Sequence, residues 1–145
     1  ANLDLDLVLA VSLHAPTDDL RSQIMPVNLK YPLAELKEAC RYYNQKTQRR
    51  ITFEYALVRD FNDTKTHAQQ LAGYLQGLFC HVNLIPINPT ATDKYQRPTP
   101  EKVKDFFNVL SEKGIEVSIR EERGTDILAA CGQLRGKVVE KNCGY

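Results

Sequence analysis

Near the end of the sequence one thiol stands among residues too small to cover it. In the run Gly124-Thr125-Asp126-Ile127-Leu128-Ala129-Ala130-Cys131-Gly132-Gln133-Leu134, the neighbours Ala129, Ala130 and Gly132 leave room for a bulky group to reach the Cys131 sulfur. A cysteine that fills a core is normally flanked by large aliphatic residues, because there it acts as a small hydrophobe. A nucleophilic cysteine instead needs a reachable sulfur that ionises readily. Cys131 is thus a candidate nucleophile, with inert packing as the competing reading.

Three further groups carry chemistry at the ends of expected strands. His14 follows an apolar run directly and is either a ligand contact or a loop-stabilising hydrogen bonder. Ser12 before it either meets a ligand or satisfies backbone groups where the strand stops. Asn88 before Pro89 is either a turn residue or part of the same rim. Glu54 stands in an otherwise apolar strand, where a carboxylate needs a partner: a structural Arg or Lys, or a ligand's cationic group. The remaining cysteines, Cys40, Cys80 and Cys143, form no C-x-x-C pair with each other or with Cys131, which argues against a zinc or iron-sulfur site within the chain. Cys40 and Cys80 read as packing residues, and His67 and His81 as structural.

The elements that must position these groups alternate regularly. Residues 5–12 read as a strand apolar on both faces, as expected between two layers of helix. Thr17-Asp18-Asp19 starts a short helical turn through Ile24, and Pro32 opens a helix with Leu33, Leu36, Cys40 and Tyr43 on one face. Residues 51–58 alternate as a second strand. Asn62-Asp63-Thr64 caps a helix whose stripe is Ala68, Leu71, Ala72, Leu75, Leu78 and Phe79. Residues 82–87 form a third strand, stopped by Pro86 and Asn88-Pro89. Thr99-Pro100-Glu101 starts a helix with Val103, Phe106, Phe107 and Leu110 inward, and residues 115–119 close with a fourth strand. This order predicts an α/β fold with a parallel sheet, whose ligands sit at the carboxyl ends of the strands. Those ends are Ser12-Leu13-His14, Arg59-Asp60, Asn88 and residues 120–125.

The 145 residues suit one domain, 1–145, and a net charge of +1 gives no global field for or against RNA. No apolar run reaches membrane-spanning length and no secretion-signal pattern is present, so no membrane partner is expected and a cytoplasmic location is.

Five ordered segments, SLHAP (Ser12 to Pro16), MPVN (Met25 to Asn28), TFEYAL (Thr52 to Leu57), HVNLIPINP (His81 to Pro89) and AACGQL (Ala129 to Leu134), closely resemble the RlmN/Cfr family of radical-SAM RNA adenine methyltransferases, RlmN type. The resemblance implies the parallel-strand half of a radical-SAM partial TIM-like barrel, built of alternating βα units. It implies methylation of carbon 2 of an adenine in 23S rRNA, and in tRNA, through an S-methylcysteine. On matching positions, Ser12, Leu13, His14 and Asn88 correspond to contacts with S-adenosyl-L-methionine (SAM), and Cys131 to the methyl-carrying cysteine. The family's 4Fe-4S cluster motif, its Gly-Glu contact and its second, resolving cysteine have no counterpart in this sequence. The chain is therefore expected to be the C-terminal part of a longer enzyme, without cluster ligands and inactive alone, with an exposed sheet edge that invites dimerisation. The alternatives are another SAM- or phosphate-binding α/β-barrel enzyme, in which Cys131 is inert, and a non-catalytic RNA-binding or interaction domain.

Overall fold

The computed structural model describes residues 8–88 and 95–120. Its centre is β2 (Ile51–Leu57), where Ile51, Phe53, Tyr55 and Leu57 are fully buried and the intervening Thr52, Glu54 and Ala56 are half-buried. Period-two alternation of this kind places one face of the strand on a core and leaves the other for something else. β3 (Cys80–Pro86) lies parallel to it, with Phe53 level with Val82 and Tyr55 level with Leu84. Pro86 has no amide hydrogen, so the ladder continues through Ile87, whose N–H donates to the Leu57 carbonyl at 3.1 Å. β1 (Leu9–Ser12) and β4 (Glu116–Ile119) complete a four-stranded sheet in the order β1-β2-β3-β4, all parallel.

The helices form where the caps direct. Thr17 Oγ1 accepts from the Leu20 amide to start α1 (Asp18–Ile24), a 3-10 turn follows at Pro26–Leu29, and α2 spans Leu33–Thr47. Thr64 starts α3 (Lys65–Leu75) by accepting from the His67 amide, and Thr99 starts α4 (Pro100–Glu112) by accepting from the Lys102 amide. Leu33 and Cys40 of α2, Ala68, Leu71, Ala72 and Leu75 of α3, and Val103, Phe106 and Leu110 of α4 join the buried residues of β2 and β3 in one cluster. Phe106 packs its ring on Tyr55 at 5.2 Å between centroids. All three helices thus sit on one face of the sheet. A consecutive strand order with helices on one side is the arrangement of a barrel wall; an open doubly wound sheet carries helices on both faces.

Two expectations are corrected here. Among the described residues the first strand is Leu9–Ser12, and it is an edge strand, not a strand enclosed between helices: Val8 is 82% exposed and Ala10 and Ser12 are exposed. Its apolar run of Leu, Val and Ala carries no mark that separates an edge from a centre. Phe79 does not extend the α3 stripe, because Gly77 at φ +82° turns the backbone after Leu75 and leaves the ring 57% exposed.

Candidate functional site

The face of the sheet away from the helices carries a polar row in strict register. Ser12 of β1 is level with Glu54 of β2, Glu54 with Asn83 of β3, and Asn83 with Ser118 of β4. Asn83 Nδ2 donates to Glu54 Oε2 at 3.1 Å and Oε1 at 3.3 Å, and Ser118 Oγ donates to Asn83 Oδ1 at 3.4 Å. The partner expected for Glu54 was a cation; among the described residues it is a neutral amide from the next strand.

Past this row the chain turns at the end of β1. The Leu13 amide still donates to the Glu54 carbonyl at 3.0 Å, and its side chain is fully buried. His14 then adopts φ +60°. The register sets the Leu13 carbonyl opposite the Ala56 amide, but that carbonyl accepts from Arg21 Nε instead, and the His14 ring takes its place: Nδ1 accepts from the Ala56 amide at 3.0 Å. An accepting Nδ1 cannot carry a proton, so the neutral ring holds its hydrogen on Nε2 and keeps a donor there. Burial lowers the His14 pKa below its ordinary value, the Arg21 charge lowers it further, and Glu54 acts in the opposite sense.

Two buried residues fasten this turn, and neither stands out as functional in the sequence. Asn62, fully buried, donates from Nδ2 to the His14 and Ala56 carbonyls at 2.7 Å each and accepts from the Val58 amide at 2.7 Å. Arg21, 4% exposed, donates from Nε to the Leu13 carbonyl at 3.1 Å and from Nη2 to the Ser12 carbonyl at 3.2 Å. Its Nη1 donates to Asn28 Oδ1 at 2.8 Å, so the SLHAP and MPVN segments meet through one guanidinium. The only signal of this in the sequence is an Arg and an Asn seven residues apart, on either side of Ser22-Gln23-Ile24-Met25-Pro26-Val27.

Asn88 stands two residues beyond β3, half-buried, and accepts from Arg97 Nη1 at 2.9 Å through Oδ1. It is about three residue steps, roughly 10 Å, past the level of His14 and two strands away, roughly another 10 Å. Arg59 and Asp60, after β2, are exposed on the same rim, where the Lys102 ammonium lies 2.8 Å from Asp60 and 3.2 Å from the buried Asp63 carboxylate. Cys131 and Cys143 lie outside the described residues. Burial pushes the thiols of Cys40 and Cys80 up to about 11, which suits packing residues and not nucleophiles or metal ligands. Among the described residues no group of three His, Cys, Asp or Glu is placed to hold a metal ion, and a cluster does not fit them. A hollow of about 360 Å³ between the last turns of α3 and α4, lined by Gln69, Gly73, Gln76 and Lys113 among others, lies at the other end of the helices and brings no such groups together.

The histidines set an acid limit on stability. Burial also lowers the pKa of His67, whose Nδ1 is buried without a partner, while Asp63 pulls the other way. Both groups hold fewer protons folded than unfolded at pH values between their lowered values and about 6.5. Stability contributed by their neutral forms is fully present above about pH 6.5 and is lost as pH falls toward the folded values. Urea midpoints measured from pH 7.5 downward are expected to fall through this window, and His67→Gln to flatten part of the slope.

The fold, a consecutive parallel sheet with its helices on one face and polar groups at its strand ends, is a segment of an α/β barrel. A radical SAM methyltransferase from Sphaerobacter thermophilus matches it with a TM-score of 0.87 at 50% identity, over 91% of this chain and 39% of that one. A domain of pyruvate-formate lyase-activating enzyme from Bacteroides vulgatus, at 17% identity and a TM-score of 0.63, over 79% of this chain and 67% of that one, shares the fold. More particularly, the sequence is similar to proteins named probable dual-specificity RNA methyltransferase RlmN. That of Clostridium tetani is 49% identical over 142 residues, 98% of this chain and 41% of the relative. That of Alkaliphilus oremlandii is 52% identical over 137 residues, 94% of this chain and 40% of the relative. The chain thus spans about two fifths of the length of these relatives, and the resemblance to the RlmN type holds along nearly all of it. No family model matches. No helix among the described residues is long and apolar enough to cross a membrane.

Proposed function

We propose that this chain is the part of a radical-SAM RNA methyltransferase that lines the cofactor side of the barrel and carries the methyl-accepting cysteine, in an enzyme that methylates carbon 2 of adenine in 23S rRNA and tRNA. The observation that carries the reading is identity near 50% to RlmN proteins over nearly the whole chain. Ser12 and His14 present a hydroxyl and an Nε2–H donor at the end of β1 and would hold SAM there with Asn88. Leu13 between them is committed to the core, with its amide on Glu54 and its carbonyl on Arg21. The separation of roughly 14 Å between the His14 and Asn88 positions, from the strand spacings above, suits the two ends of an extended nucleoside–amino acid ligand.

SAM, when bound, supplies a methyl group on a sulfonium. The Cys131 thiolate would take it by nucleophilic substitution: the new S–CH3 bond forms, the sulfonium C–S bond breaks, and its electron pair stays on the departing S-adenosylhomocysteine sulfur. The described residues offer no ligand set for a 4Fe-4S cluster, so this chain alone is proposed to be inactive in RNA methylation.

The test is mass spectrometry of the whole protein made in cells. A single added methyl on the peptide containing Cys131, absent in Cys131→Ala together with RNA methylation, is the expected result. An active enzyme with unmodified Cys131 overturns the reading.

A further inference from the structure

Glu54 has no role in the account above, and its setting gives it one. It is half-buried on the face that no helix of the core cluster covers, level with Ser12 on one side and Asn83 on the other. Neighbouring strands lie about 4.8 Å apart, so any ligand that reaches Ser12 lies beside this carboxylate. The Ser118 hydroxyl fixes the Asn83 amide by donating to its oxygen, and that turns the amide nitrogen onto Glu54. A carboxylate offers about four acceptor positions. Among the described residues the Asn83 amide is the one donor that reaches it, and no Lys or Arg pairs with it. A carboxylate so oriented and so incompletely satisfied is suited to accept from O–H or N–H groups that arrive with a ligand.

We infer that Glu54 is a cofactor-contacting residue: beside Ser12, its carboxylate accepts hydrogen bonds from the donor groups of bound SAM, with Asn83 and Ser118 as the residues that position it. This rests on the SAM-binding reading of the same site. The donors are either the ribose hydroxyls or the methionyl ammonium.

The measurement is equilibrium binding of SAM, without reductant or RNA, to the whole protein carrying its cluster. Glu54→Gln, with melting temperature and iron content checked, is expected to weaken SAM binding at least tenfold, and Ser118→Ala severalfold. Parallel titration with 5′-methylthioadenosine separates the sources. An equal loss for both ligands assigns the contact to the ribose, and a loss confined to SAM assigns it to the ammonium. Wild-type affinity in a folded Glu54→Gln overturns the inference. If that variant does not fold, Glu54→Asp, which keeps the charge but withdraws it, takes its place, and unchanged affinity there is equally fatal. Asn88→Ala is the control on the underlying reading: if it too binds SAM like wild type, the site assignment itself fails, whereas weakened binding there with intact binding in Glu54→Gln removes only the role given to Glu54.

Discussion

Asn62→Ala is expected to lower the stability of the protein by about 3 kcal/mol, the largest effect of any single substitution at a described polar residue. The amide makes three hydrogen bonds of 2.7 Å, one accepted from Val58 and one donated to each of His14 and Ala56. Alanine leaves one buried N–H and two carbonyls without these partners, and each orphaned group costs on the order of 1–3 kcal/mol where water cannot follow. The substitution also loosens the loop that closes under Tyr55, whose hydroxyl donates to the Asn62 carbonyl at 3.1 Å. For a chain of this size the loss corresponds to a drop in Tm of roughly 10 °C. Asn62→Asp sharpens the test. It keeps the acceptor for Val58 but sets a carboxylate oxygen against two carbonyl oxygens at hydrogen-bond distance, so it is expected to be at least as damaging as alanine. Urea denaturation of the three proteins settles the order; an Asp variant as stable as wild type means that the amide is not the bridge described.

The helices were legible because their cause is local. Ala68, Leu71, Ala72 and Leu75 are buried where a period of 3.6 places them, and the alternation of β2 and the parallel order follow from patterns that each stretch carries by itself. What was hidden depends on neighbours that the sequence does not name. Glu54 meets Asn83 only because β2 and β3 are adjacent in one register, and a slip of one residue would turn both to the opposite faces. Asn62 looks like part of a helix cap with Thr64, since Asn and Thr both favour such positions. Thr64 alone makes the cap, and the Asn62 amide instead joins two strand ends whose positions are set 48 and six residues away. The candidate site follows the same division: Ser12, Leu13, His14 and Asn88 fall at strand ends, as the alternation requires, while Arg21 and Asn62, the buried groups that hold Ser12, Leu13 and His14, carry no such pattern.

Arg21→Met is expected to destabilise the protein by about 2–3 kcal/mol and to carry a second signature that a packing role alone would not produce. The guanidinium is buried among neutral acceptors: it holds the Ser12 and Leu13 carbonyls and the Asn28 amide oxygen, and Asn28 in turn donates to Asp18 and Ser22. Methionine fills much of the volume but strands two carbonyls, and Arg21→Lys, with one ammonium for three directions, is expected to recover only part of the loss. The second signature is electrostatic. The Arg21 charge is among the causes that hold the His14 pKa down, after burial and against Glu54. Without that charge, protonation of His14 becomes easier, so its titration midpoint followed by NMR is expected to move up toward 6.5 in Arg21→Met and to stay near the wild-type value in Arg21→Lys. Because the gap between the folded and unfolded midpoints then narrows, the acid-side decline in stability should become shallower in the Met variant even as its stability at neutral pH falls. A variant that loses stability with an unmoved His14 midpoint would reduce Arg21 to a structural brace. A midpoint that rises ties the residue to the protonation state of the one ring at the strand end that offers an N–H donor to a ligand.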